Sequence, residues 1–146
     1  MIELEKFSKP VLRIAMSLVF LYFGFQQITS PIEWSGFVPN YALVFGIAAE
    51  KIVTINALLE LSLGTSLLIG LFTKFSSLIL SLHLFGIAFS LGFNALGVRD
   101  LGLAFATLVV FMNGTDKFCL DRIWLKDKQA CARRRHMSYP RIIQQN

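Results

Sequence analysis

Residues 52–72 read IVTINALLELSLGTSLLIGLF, and this stretch decides the fold. It has the roughly 20 mainly apolar residues that a helix needs to cross a bilayer. Its one ionisable residue is Glu60. A helix on the surface of a soluble domain would carry a polar stripe along one face, and no such stripe recurs here. We therefore predict a transmembrane helix over 52–72.

Three more stretches of the same kind predict spans over 11–29, 75–93 and 98–112, of which the last is the shortest. The whole chain of 146 residues is 55% hydrophobic and 16% charged, whereas soluble domains have about 45–50% and about 25%. The aromatic, proline-containing residues 31–41 are typical of a segment at headgroup depth. The expected fold is an all-α transmembrane four-helix bundle over 1–116, with this interfacial segment between its first two helices.

Small residues four positions apart predict where the helices touch, because lipid gives apolar helices no hydrophobic reason to associate. Such contacts imply a close-packed bundle rather than a wide pore. The predicted contact residues are Ser62, Ser66 and Gly70 on the second span, Ser77, Ser81, Ala88 and Gly92 on the third, and Gly102 and Ala106 on the fourth.

The basic residues predict an orientation with both termini in the cytoplasm. In that topology twelve Lys and Arg lie inside, and only Lys51 and Arg99 lie outside. The basic tail 117–146 is expected to rest on anionic lipid. Nucleic acid is not an expected partner, because no recognition motif accompanies the charge. Cys119 and Cys131 fit no metal or redox motif, so reduced thiols are expected, with a regulatory disulfide as the alternative.

Glu60 is the main candidate for chemistry, since a charged side chain at membrane depth costs at least about 2.5 kcal/mol. It lies about eight residues from the outer end of its span, and His83 reaches a similar depth on the third. A Glu60–His83 pair could pass a proton or hold a ring carbonyl. The alternatives are that Glu60 is protonated or locks the bundle through a polar partner, and that His83 bonds a backbone carbonyl.

Arg99 and Asp100 are the second pair of candidates for chemistry. They could pair with each other, cap the fourth helix or meet Glu60. Arg13 is expected to extend its side chain to the lipid headgroups. No metal site is predicted. Further polar side chains are expected to converge with Glu60 in an outer pocket as ligand contacts: Gln26, Gln27, Asn56, His83 and Asn94.

Several strings resemble the DoxX family. They are Leu12-Arg13-Ile14, Phe20-Leu21-Tyr22-Phe23-Gly24-Phe25-Gln26-Gln27, Leu58-Leu59-Glu60-Leu61, Gly70-Leu71-Phe72-Thr73 and Gly97-Val98-Arg99-Asp100-Leu101-Gly102-Leu103-Ala104. The resemblance implies a four-helix protein of the bacterial cytoplasmic membrane, with relatives in quinone-linked oxidoreductases and thiol-stress complexes. It places Arg13, Glu60, Arg99 and Asp100 at family-typical positions. Many members carry lysine where this chain has Gln27.

Three functions compete at this level. The first is a membrane subunit of an oxidoreductase system that binds quinone, without a covalently bound cofactor. It would work with a soluble or membrane redox partner, or as a homo-oligomer. The second is a non-catalytic anchor whose tail recruits a soluble partner, and the third is a small-solute or proton transporter.

Overall fold

The computed structural model describes residues 2–44 and 46–121, and within them the chain is helical without β-strands. Four helices are long and apolar enough to cross a membrane, with α1 contributing its part from Phe7 to Thr29. The predicted all-α transmembrane bundle is therefore confirmed. Its elements are α1 (Ile2–Thr29), α2 (Pro31–Trp34), a 3-10 turn (Ser35–Phe37), α3 (Asn40–Leu43), α4 (Ala49–Ile69), α5 (Thr73–Leu91) and α6 (Ala95–Asn113).

The long helices form a ring in the order α1, α4, α5, α6. The closest pairs are α1 with α4 and α5 with α6, and contacts of α4 with α5 and of α1 with α6 close the ring. One end of the bundle, where α1 and α5 finish, is called here the Trp34 end. The opposite end, where α4 and α6 finish, is the Arg13 end.

Polarity is distributed in the way that a lipid environment requires. Large apolar side chains face outward on every long helix, for example Phe25, Leu58, Phe89 and Phe105. Small hydroxyl side chains lie inside, and Ser17, Ser77, Ser81 and Thr107 are fully buried. Many of these hydroxyls bond backbone carbonyls, such as Ser81 to Ala104 at 3.0 Å, which satisfies them without water. The chain is a multi-pass membrane protein.

The small residues that bring helices together differ in part from those predicted. Gly64 of α4 meets α1, where an added Cβ would lie 3.2 Å from Phe20 Cβ. On α6 the buried small residues are Gly97 and Ala104, whereas Gly102 is exposed. Ser62 is also exposed, so these two predicted contacts are wrong. The others on α4 and α6 are confirmed: Ser66 accepts from Ser76 of α5 at 3.2 Å, Gly70 is buried, and Ala106 packs against the core. On α5, Ser77, Ser81 and Ala88 are buried as expected, whereas Gly92 is exposed.

Residues after α6 fold back onto the Arg13 end of the bundle. The Asp121 carboxylate accepts hydrogen bonds from the backbone N–H groups of Phe72 (2.9 Å) and Thr73 (2.8 Å) at the start of α5. Cys119 is a buried free thiol that lies against Gly70. This part of the predicted tail thus packs on the bundle, while residues 122–146, including Cys131, lie outside the described residues.

Arg13 does not reach toward the headgroups, and the expectation that it does is wrong. Its side chain is buried, and its Nε donates to Asp116 Oδ2 at 2.7 Å. Nη1 donates to the carbonyls of Leu67 and Leu68, each at 2.6 Å. Both carbonyls belong to the last turn of α4, where the Leu67 carbonyl also accepts from Gly70 N at 3.2 Å. Arg13 therefore ties α1, α4 and the segment after α6 together.

Candidate functional site

A cavity of about 380 Å³ opens between the helices at the Trp34 end. Its volume falls in the range of small-molecule sites, and its lining is mainly apolar with a few polar groups, as such sites usually are. The polar lining residues come from three helices and are Gln27, Asn56, Glu60, Arg99 and Asp100. All five are among the residues that the sequence suggested for the site.

Glu60 is the centre of one polar wall of the cavity. Its side chain is buried, and Gln27 Nε2 donates to its Oε2 at 3.1 Å. Asn56 Nδ2 donates both to Glu60 Oε1 at 3.0 Å and to Gln27 Oε1 at 2.7 Å. Asn56 lies one helical turn before Glu60 on α4, so both face the same side. The carboxylate is therefore held by two amides from α1 and α4.

His83 approaches the same carboxylate from α5 but does not hydrogen bond to it. His83 Nε2 lies 3.7 Å from Glu60 Oε1, beyond hydrogen-bonding distance. The atom is buried and has no hydrogen-bond partner among the described residues. His83 therefore lies next to Glu60 on the α5 side and is not one of the residues that line the cavity.

Arg99 and Asp100 form a second polar group in the cavity, on α6. Arg99 Nε donates to Asp100 Oδ1 at 2.8 Å, and the Arg99 guanidinium lies 4.9 Å from the centre of the Phe23 ring. Cation–π contact stabilises this position. Among the described residues, no ion pair joins Arg99 to Glu60. Arg99 and Asp100 therefore pair with each other, and in the part of the chain that the structure describes they neither cap α6 nor bond to Glu60.

Aromatic rings make up much of the remaining lining. Phe23 meets Trp34 edge to face with centroids 6.0 Å apart, and Trp34 lies 5.8 Å from Phe37. The residues of 31–41 were predicted to lie at headgroup depth, and Trp34 to Pro39 also cover the cavity. The sequence did not lead us to predict that these residues cover a cavity. The only sequence feature that pointed to it is the clustering of Trp34, Phe37 and Pro39.

Besides His83, two more of the expected ligand contacts lie outside the cavity. Gln26 sits beside Gln27 on α1 but points away, and its Nε2 donates to Tyr22 Oη at 3.2 Å. Asn94 is the N-cap of α6, where its Oδ1 accepts from Gly97 N at 2.8 Å. It therefore starts α6 at Ala95, before the Arg99-Asp100 pair that was expected to open the helix. Neither side chain lines the cavity.

The described residues contain no cluster of His, Cys, Asp and Glu side chains suited to hold a metal ion. A DoxX family model matches residues 9–92, more than half of the chain. The chain belongs to the DoxX family. The DoxX match includes Gln27, Asn56, Glu60 and His83, and it ends before α6 with Arg99 and Asp100. No curated protein and no solved structure matches the chain.

Proposed function

We propose that this DoxX protein is a membrane subunit of an oxidoreductase system and that it binds a quinone or a similar lipid-soluble molecule in the cavity at the Trp34 end. One observation supports this proposal above the others. The cavity combines aromatic walls with two separate polar groups, one around Glu60 and one at Arg99.

The chemistry of a quinone suits this combination. Its ring is flat and apolar, so it can stack or meet edge to face with rings such as Phe23, Trp34 and Phe37. Its two oxygens lie at opposite edges and need hydrogen-bonding groups on both sides. Gln27 Nε2, which keeps one hydrogen that the described residues do not use, and the Arg99 guanidinium lie on different helices and supply donors for them. The partner that exchanges electrons with the bound molecule would be a soluble or membrane oxidoreductase.

The location that goes with this function is the bacterial cytoplasmic membrane, with both termini in the cytoplasm. The support is the distribution of twelve basic residues against two. Cys131 is the reporter for this topology, because Cys119 is buried. An impermeant maleimide should label Cys131 in inverted vesicles and not in intact cells. Labelling of intact cells would contradict the topology.

The binding proposal is tested by mass spectrometry of lipids that co-purify with the protein in mild detergent. Wild type should retain isoprenoid quinone or quinol, and Glu60→Gln should retain less of the two together, because the carboxylate that accepts from a ligand hydroxyl at the cavity wall is lost. The matched control is Glu50→Gln, which makes the same change at an exposed position of α4. Absence of both quinone and quinol from wild type, or equal amounts in Glu60→Gln and wild type, would contradict the proposal.

A further inference from the structure

The hydrogen atoms of the amides around Glu60 are almost all engaged. Asn56 Nδ2 carries two hydrogens, and it donates one to Gln27 Oε1 and one to Glu60 Oε1. Gln27 Nε2 donates to Glu60 Oε2. Asn56 Oδ1, in contrast, receives no hydrogen bond from the described residues. This wall of the cavity therefore offers mainly acceptors.

Glu60 itself adds to this surplus of acceptors. An ionised carboxylate has about four lone-pair positions, and the described residues donate two hydrogen bonds to it. His83 Nε2 is too distant to donate a third. Each oxygen receives one amide N–H and keeps further acceptor capacity. A ligand oxygen placed against the ionised carboxylate or Asn56 Oδ1 must bring its own hydrogen. The second hydrogen of Gln27 Nε2 is the one amide donor of this wall that the described residues leave unused.

The other polar group of the cavity adds donors from Arg99 and a second carboxylate, that of Asp100. The Arg99 Nε is used by Asp100, and the terminal nitrogens of the guanidinium donate to none of the described residues. Guanidinium nitrogens are donors only. A ligand oxygen placed at Arg99 must therefore accept. Together the two groups offer acceptors on Glu60, Asn56 and Asp100, and donors on Arg99 and the remaining Gln27 N–H.

A quinone and a hydroquinone differ in how many of these donors and acceptors they can use. The two carbonyl oxygens of a quinone only accept, so the oxidised form can use the donors of Arg99 and Gln27 but none of the acceptors on Glu60, Asn56 and Asp100. A hydroxyl both donates and accepts, so the reduced form satisfies both walls. We infer that the cavity binds the hydroquinone form of its ligand more tightly than the quinone form. This inference rests on the proposed function and names the redox form that the site prefers.

The size of the preference follows from one additional hydrogen bond to a charged group. Such a bond corresponds to an affinity ratio of about tenfold or more. A tenfold tighter binding of the reduced form raises the two-electron potential of the bound couple by about 30 mV. The bound ligand would then be harder to oxidise than the same molecule in the surrounding lipid.

The test measures both redox forms on the intact protein in lipid nanodiscs by anaerobic titration calorimetry. Decylubiquinol should bind wild type with a dissociation constant about tenfold lower than that of decylubiquinone. Glu60→Gln replaces an acceptor oxygen by an amide donor, so the ratio should fall toward one. The control Glu50→Gln should keep the wild-type ratio.

The outcomes separate this inference from the function on which it rests. Equal binding of the two forms by wild type, or tighter binding of decylubiquinone, overturns the preference and leaves quinone binding standing. Binding of neither form above that of empty nanodiscs overturns the proposed function and the inference with it. The wild-type ratio alone decides, so the result does not depend on the folding of a variant.

Discussion

Loss of the Asp116 carboxylate should be among the most damaging single changes at the Arg13 end. Both partners of the Arg13–Asp116 pair have side chains that are only 3% exposed, and their atoms lie 2.7 Å apart. In Asp116→Asn the Arg13 guanidinium keeps its hydrogen bonds to the carbonyls of Leu67 and Leu68 but loses the negative charge that balances it. Removing one partner of a buried ion pair costs about 3–5 kcal/mol. The folded-to-unfolded ratio should therefore fall by about a hundredfold to several thousandfold.

The assay is unfolding of the purified protein by SDS in dodecyl maltoside micelles. Glu33→Gln serves as the control, since Glu33 is an exposed acid on α2. The double variant Arg13→Met/Asp116→Leu should recover most of the lost stability, because a buried ion pair can be replaced by apolar residues at little cost. A change within about 0.5 kcal/mol for Asp116→Asn, which is typical of an ordinary surface substitution, would refute this reasoning.

The same carboxylate predicts a response to acid. Burial raises the pKa of Asp116, but hydrogen bonds from Arg13, the Phe118 backbone and Cys119, together with the Arg13 charge, hold it below its ordinary value of 3.8. A carboxyl with a lowered pKa in the fold stabilises the protein above that ordinary value. Its contribution is lost as the pH falls below 3.8 toward the folded-state pKa. Wild type should lose stability over this range, and Asp116→Asn should lack this component in SDS unfolding curves.

Two further changes test the helix contacts. Gly70→Ala should destabilise by at least about 1–2 kcal/mol, because φ is +77° and the new Cβ would lie 2.7 Å from the Cα of Cys119. Gly36→Ala, with open space around it, is the control in the same SDS unfolding assay, and equal stability of the two variants would contradict the packing. Gln27→Leu should cost about 1–3 kcal/mol because it leaves polar atoms of Asn56 and the buried carboxylate unpaired. Gln26→Leu should cost much less, and the reverse order would argue against the observed contacts.

The transmembrane architecture could be predicted because it depends on the average polarity of long stretches. Four apolar runs separated by polar turns define four spans whatever the details of packing. Helix ends were less predictable, because they depend on single caps. The fourth span was expected to open at its charged pair, but Asn94 supplies the cap and the helix begins at Ala95.

The rotation of each helix about its axis could not be predicted from the spacing of small residues. Serine and glycine recur on more than one face of α4, and Gly64, rather than Ser62, meets α1. The same limit explains why Gln26 and Gln27 were both predicted to contact a ligand. They are neighbours in sequence, but successive residues are about 100° apart around a helix of 3.6 residues per turn. Only Gln27 faces Glu60.

The Arg13–Asp116 pair was missed because Arg13 was assigned to the lipid headgroups and no partner was considered for Asp116, the last residue before the basic tail. The antiparallel order of the four spans already places the start of the first helix and the end of the fourth at one end of the bundle. A search for opposite charges at that end would have pointed to this pair. The cavity lining depends on how residues 31–39 fold over the helices, and local sequence does not determine that.

Quinone binding in the cavity is tested most directly through Trp34, which lines it. The chain has two tryptophans, so Trp124→Phe leaves Trp34 as the only source of tryptophan fluorescence. Titration with a short-chain quinone in nanodiscs should quench Trp34 fluorescence to saturation, and Arg99→Leu, which removes a donor for a quinone oxygen, should weaken the apparent affinity. Quenching that rises linearly without saturation, equally in both proteins, would mean that the quinone collides from the lipid and does not occupy the cavity.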